Sequence, residues 1–298
     1  MKNSVSVVIP TVGRESLYSA VESAILQTTA PLEVVVCADT LKPLHLPDDD
    51  RIRVVRVGPN AGGNVARQTG IEASRGDYIA LLDDDDIWLA NKLSHQLAQR
   101  RKLNLEKDGH WLLTTRVIDT DGKIRPLQEM RSGDDPIDVL FRRTKFREGT
   151  GKLHTSTWFF PRSFGMENIF DPNIRFHQDL DWIVCARQNF GSFTVEQSAF
   201  ADTVCGETDG SVAKTISWRG SADWCLDKLG TTSSRIRGDF LVHVSFSRAL
   251  SANDPKVAFS AFKFAVQNGR PGFYGFSTSL IKLVRLCVSS LSKNLRAK

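Results

Sequence analysis

The chain has 298 residues, of which 41% are hydrophobic and 24% charged, the balance of a globular protein able to bury a core in one large domain or two modest ones. Its formal charge of +5 sits entirely in the tail, because no acidic residue follows Asp254 while Lys256, Lys263, Arg270, Lys282, Arg285, Lys293, Arg296 and Lys298 do. Without those eight, 31 basic residues face 34 acidic ones, which excludes a generally basic nucleic-acid binder.

The first element is a strand at Ser4–Ile9, SVSVVI, stopped by Pro10. Helical spacing of Leu17, Val21, Ala24 and Ile25 predicts a helix over Glu15–Gln27. Strands follow at Glu33–Cys37 and Ile52–Val57, then a helix that opens at Gly62-Gly63 and runs to Ser74. A fourth strand, Tyr78–Leu82, ends directly on Asp83, Asp84, Asp85 and Asp86. Apolar strands alternating with helices predict an α/β fold, a mostly parallel twisted sheet covered by helices on both faces. Ligands of such sheets bind outside the carboxyl ends of the strands. Pro10-Thr11, Asp39 and the aspartates all fall at such ends. Beyond them, a helix is predicted near Leu89–Arg101, a strand near Trp111–Val117, a polar connection over Ile118–Thr150, a strand at His154–Phe160 and a helix at Asp179–Gln188. The last third reads as helical: Trp218–Leu229, Arg235–Leu250, Pro255–Gln267 and a stretch from Phe276.

The five cysteines, Cys37, Cys185, Cys205, Cys225 and Cys287, form no CxxC pair. That spacing argues for a reducing compartment and against both a disulfide framework and a zinc site. The opening MKNSVSVVIPT reads as a strand and not as a secretory signal, and no apolar run reaches the ~20 residues of a bilayer span. Adjacent carboxylates at a strand end suit a hard cation, Mn2+ or Mg2+, which can neutralise a diphosphate. The competing reading is a solvated acidic turn that caps the next helix.

Four segments in this order resemble the family 2 glycosyltransferases of the GT-A fold: VVIPTVGRESLYSAVESAILQT, EVVVCADT, NAGGNVARQTGIEASRGDYIALLDDDDIW with its DxD motif, and HQDLDW. The resemblance covers about residues 4–100 and 154–190. It implies inverting transfer from a nucleotide-diphosphate sugar, with uridine the first choice of base and deoxythymidine and guanosine left open. Carried over residue by residue, Asp83 and Asp84 would lie near the ribose and diphosphate, and Asp85 would hold the metal. Thr11 and Asp39 would meet the base and ribose, Arg67 the base or phosphates, and Asp179 would be the general base. Asp179 alternatively caps its helix, Asp181 is its nearby rival, and His177 either orients the site or packs. Arg67 could also be a solvated helix residue, Thr11 and Asp39 turn formers, and Trp158 either a sugar platform or a core residue.

This sequence departs from the family pattern at Val12-Gly13, where Tyr-Asn is frequent, at Ala38, where a first aspartate is usual, and in VCGETDGS, which lacks a histidine. The implied organisation is a GT-A catalytic domain over 1–215, with a nucleotide-sugar half over 1–100 and an acceptor half over 101–215, and a helical region over 216–298 ending in a basic amphipathic tail. That tail either packs on its own domain or lies on an anionic membrane. The implied partners are the donor, a glycan or lipid-linked acceptor and that membrane surface, with no nucleic acid. The expected location is the cytoplasm, at the inner face of the membrane. Two rival functions are a sugar-nucleotide-forming nucleotidyltransferase, disfavoured by the single glycine in PTVGRES, and an inactive GT-A sugar-binding protein.

Overall fold

The structure is a computed structural model that describes residues 3–127, 130, 133–142, 153–206 and 217–296. Parts of the polar connection Ile118–Thr150, the stretch VCGETDGS from its glutamate onward and the last two residues of the tail lie outside the described residues. The chain packs as two units, one of residues 1–136 with 151–210 and the other of residues 137–150 with 211–298.

The first unit is built on one sheet of strand order β3-β2-β1-β4-β8-β6-β9-β5, with β7 on β6. Strands β1 (Val5–Thr11), β2 (Glu33–Ala38), β3 (Ile52–Arg56) and β4 (Tyr78–Leu81) form the parallel half. Every residue of β1, β2 and β4 is buried, as the uniformly apolar sequence requires of strands covered on both faces. Helix α1 (Leu17–Ile25) buries Leu17, Ala20, Val21 and Ala24 in a cluster with Val7, Ile9, Val34, Val36 and Leu82. On the opposite face α2 (Gly63–Ala73) lies so close that a Cβ on Gly70 would sit 2.3 Å from Val8 Cγ1.

The other half is mixed. Strand β8 (Phe159–Pro161) runs antiparallel to β4, and β6 (Trp111–Ile118) antiparallel to β8. Strand β9 (Thr194–Val204) is parallel to β6, while β5 (Ile87–Trp88) closes on β9 and β7 (Ile124–Arg125) on β6. Two expectations differ in detail. The helix expected from Leu89 starts later, as α3 (Lys92–Lys102), because Ile87 and Trp88 pair with β9. The strand expected over His154–Phe160 opens as a 3-10 turn at Thr155–Thr157. There Thr157 Oγ1 donates to His154 O at 2.6 Å, a local side-chain bond that competes with the ladder. Strand β9 was not expected at all. Helices α5 (Arg162–Glu167) and α6 (Gln178–Asn189) follow β8.

The second unit holds α4 (Pro136–Phe141) apart from its first residue, α7 (Trp218–Lys228), α8 (Ser234–Phe240), α9 (Phe246–Ser251), α10 (Pro255–Asn268) and α11 (Phe273–Arg296). The single helix expected over Arg235–Leu250 is α8 and α9 joined by a π turn at Leu241–Ser245. Phe246, Ala249, Ala258, Ala261, Phe262 and Leu283 form its core. Fully buried Asp239 accepts from Arg235 Nε and from Gly272 N, both at 2.7 Å, and so fixes the start of α11.

Candidate active site

Three parallel strands end at one rim, and their last residues begin the site. Thr11 closes β1, Asp39 follows β2, and Asp83–Asp86 follow β4. Each of three aspartates there has identified partners. Thr11 Oγ1 donates to Asp84 Oδ2 at 2.5 Å, and Arg14 pairs with the other oxygen. Arg67, on α2, donates from one guanidinium nitrogen to Asp83 Oδ1 at 2.6 Å and from the other to Gln178 Oε1 at 2.9 Å. Asp86 accepts from Ser156 Oγ at 2.5 Å and from Gly206 N at 3.0 Å. Asp85 is half-buried between them, and Gly206 passes so closely that a Cβ there would lie 1.8 Å from Asp85 O. The acidic run is therefore no solvated turn.

The electrostatics follow from these partners. Burial pushes the Asp83 carboxyl up, but the charges of Arg67, His154 and Arg14 outweigh it and hold the group below its ordinary range. For Asp84 burial wins over the bonds to Thr11 and Arg14, and its carboxyl is raised. Asp86 is raised by burial as well, against the pull of His154 and Ser156. Burial opposes the charged form of His154, yet Cys205, Asp86 and Asp83 together raise it from 6.5 to about 9.

Asp179 lies in the first turn of α6, next to Gln178 and hence to Arg67. Burial raises its carboxyl, while the Leu180 N–H and the charges of His154 and Arg67 pull the other way. Asp83 and Asp179 thus share the field of the same imidazole and guanidinium. The N-cap position of the helix is held by His177, which makes no side-chain capping bond and whose backbone sits in the left-handed region at φ 55°. A non-glycine residue held there is strained, and that bend starts α6 beside the rim. His177 makes an edge contact with Phe176 at 5.3 Å. Asp181 is fully buried with Cys185 Sγ at 3.8 Å, which separates it from half-buried Asp179.

Two residues have roles beyond those the resemblance implies. Both oxygens of Asp39 accept backbone N–H groups, from Ala61 at 2.8 Å and Gly62 at 2.7 Å, so it orders the loop that opens α2. Trp158 is fully buried against Trp182 and Phe170, with ring centres at 5.0 and 6.3 Å, which makes it a core residue. Arg14, Gln178, Ser156, His154 and Cys205 were not singled out from sequence. Arg14 and Gln178 stood within the quoted motifs, Cys205 in VCGETDGS and His154 and Ser156 in the expected strand from His154, but no local pattern tied the last three to the aspartates.

The profile described as Glycosyl transferase family 2 matches residues 6–177. Over 108 residues the chain is 37% identical to the UDP-Glc:alpha-D-GlcNAc-diphosphoundecaprenol beta-1,3-glucosyltransferase WfgD of Escherichia coli, 34% of this chain and 42% of that protein. It is 29% identical to the amylovoran biosynthesis glycosyltransferase AmsB of Erwinia amylovora over 62% of this chain and 63% of that protein. The chain thus spans under two thirds of these relatives' length. The crystal structure of S. aureus TarS 1–349 superposes with a TM-score of 0.58 at 17% identity, covering 90% of this chain and 81% of that one. The complex of the same protein with UDP-GlcNAc gives 0.55 at 15% identity, covering 89% of each chain. At such identities the structural likeness concerns the fold.

Proposed function

The chain belongs to glycosyl transferase family 2, and from that premise we propose that it transfers a sugar, with inversion, from a nucleoside-diphosphate donor to a hydroxyl of a growing cell-surface or lipid-linked glycan. The observation that carries this reading is the reach of Arg67, which touches Asp83 on one side and Gln178 on the other. It ties the strand-end carboxylates to the residue beside Asp179. A donor site and a proton acceptor within one field are what direct displacement requires.

In this reading the acceptor oxygen bonds the anomeric carbon as the bond to the diphosphate breaks, and Asp179 takes the hydroxyl proton. Thr11, Asp39, Asp83 and Asp84 line the nucleotide, and Arg67 and Arg14 hold the carboxylates in place. The hard oxygen donor of half-exposed Asp85 fits Mn2+ or Mg2+, and such an ion supplies charge neutralisation to the leaving diphosphate. A uridine donor is supported by the WfgD name and by the TarS complex with UDP-GlcNAc. The WfgD name also supports a lipid diphosphate acceptor and so work at the inner membrane face. No helix among the described residues is long and apolar enough to cross a membrane.

Asp179→Asn tests the reading. Transfer should fall ~10²–10⁴-fold, the usual worth of a general base, with donor affinity within about twofold of wild type by calorimetry. Asp85→Ala should instead weaken metal-dependent donor binding. An Asp179→Asn enzyme with undiminished transfer, or equal metal-dependent affinity in wild type and Asp85→Ala, would remove the corresponding role.

A further inference from the structure

We propose that Asp86, His154 and Cys205 form a second cation site, distinct from Asp85, that takes a zinc-class divalent ion. Their ligand atoms all lie within 4.8 Å of one another, and His154 Nδ1 stands 3.5 Å from Asp86 Oδ2. Around a tetrahedral zinc with bonds of about 2.0–2.3 Å, neighbouring donors are ~3.5 Å apart. His154 Nδ1 accepts the Ser156 N–H at 3.4 Å, and an ion bound through that nitrogen would take the place of this bond.

The donor set selects the class of metal. A thiol, an imidazole and a carboxylate are borderline and soft donors that suit zinc, whereas magnesium and calcium take oxygen alone. Three protein ligands leave a fourth position for water. The carboxylate is already oriented, with Ser156 Oγ on Oδ2 and Gly206 N on Oδ1, as supporting bonds orient metal ligands. An ionised carboxylate offers about four acceptor positions, so those bonds do not exhaust it. Asp86 and Cys205 are buried, while the His154 side chain is 24% exposed and gives an ion its way in.

The ligands come from three separate ends: the loop after β4, the entry to the 3-10 turn and the exit of β9. Ser156 Oγ also accepts from Asp83 N at 2.9 Å. An ion at this point would pin all three segments beneath the loop that presents Asp83 and Asp85. Cysteine spacing argued against zinc, and it could not have revealed a site in which one cysteine meets ligands from distant segments.

The full chain, stripped with chelator and titrated with Co2+ alone, should develop a near-ultraviolet thiolate-to-cobalt charge-transfer band that saturates at one equivalent and that Zn2+ abolishes. Cys205→Ser should lose the band, while Asp85→Ala and Cys287→Ser keep it. A wild-type protein without the band, or an unchanged band in Cys205→Ser, overturns the proposal. If Cys205→Ser does not fold, zinc-edge X-ray absorption of the zinc-loaded wild type decides. One sulfur in the first coordination sphere supports the site, and nitrogen and oxygen alone overturn it.

Discussion

Glu33 and Asp179 are both carboxylates that burial pushes up, yet they move in opposite directions. Burial pushes Glu33 up, but Arg53, the Arg75 N–H, Ser6 and the Arg75 side chain outweigh it, and the group falls below its ordinary range. For Asp179 burial prevails over the Leu180 N–H, the charges of His154 and Arg67 and its own N–H. A base works ionised, so the acid limb of kcat/KM should lie above the ordinary aspartate value of about 4, with the rate rising as pH climbs through it. Arg67 lowers the Asp179 carboxyl, hence Arg67→Met should move that limb further up. A pH profile whose acid limb stays near 4 in wild type would argue that another group accepts the proton. The sequence named both members of this pair, Arg67 and Asp179. It carried no sign of Gln178 as the bridge between them.

Helix α2 carries Arg67, and its seat on the sheet therefore sets the rim. The seat depends on Gly70, where a Cβ would meet Val8 Cγ1 at 2.3 Å and Cys37 Sγ at 2.6 Å. Gly70→Ala should cost ~1–3 kcal/mol by overpacking, more than the roughly 0.8–1.0 kcal/mol that alanine returns in helix propensity. Urea unfolding reads this as a lower midpoint at unchanged slope, and a midpoint at or above wild type would show that α2 can lift off at little cost. Strands β1, β2 and β4 were legible because each is an apolar run. Strand β9, TVEQSAFADTV, was not, since its polar and charged residues break the apolar signal and its place comes from pairing with β6. At Thr155–Thr157, inside the stretch expected as a strand, the hydroxyl bond from Thr157 to His154 O makes a turn instead.

At the scale of the whole molecule the C-terminal helix packs on its own unit along one face and leaves apolar side chains exposed along another. Leu283 is buried in the second unit's core, and Ser279 Oγ donates to Val242 O at 3.1 Å. Ile281, Val284, Val288 and Leu291 are exposed on the same helix, and so are Lys282 and Arg285. An exposed apolar stripe flanked by bases suits the surface of an anionic bilayer. The double variant Ile281→Asp, Val284→Asp should bind anionic phosphatidylglycerol vesicles at least ~10-fold more weakly, because each lost apolar side chain forfeits roughly 1.5 kcal/mol or more. Its melting temperature should hold, since neither side chain is in the core. Equal co-sedimentation of the variant and wild type would leave the stripe without that role.

By itself the sequence determined the parallel half of the sheet, the acidic rim at its carboxyl ends and the family, because apolar runs, strand ends and short motifs are local features. Only the tertiary structure decided which partner each aspartate takes, why Trp158 is core, and how His154 and Cys205 come to stand beside Asp86. Those contacts join segments dozens of residues apart. Sheet order and the close passage of Gly206 by Asp85 bring them together, and no local pattern encodes either.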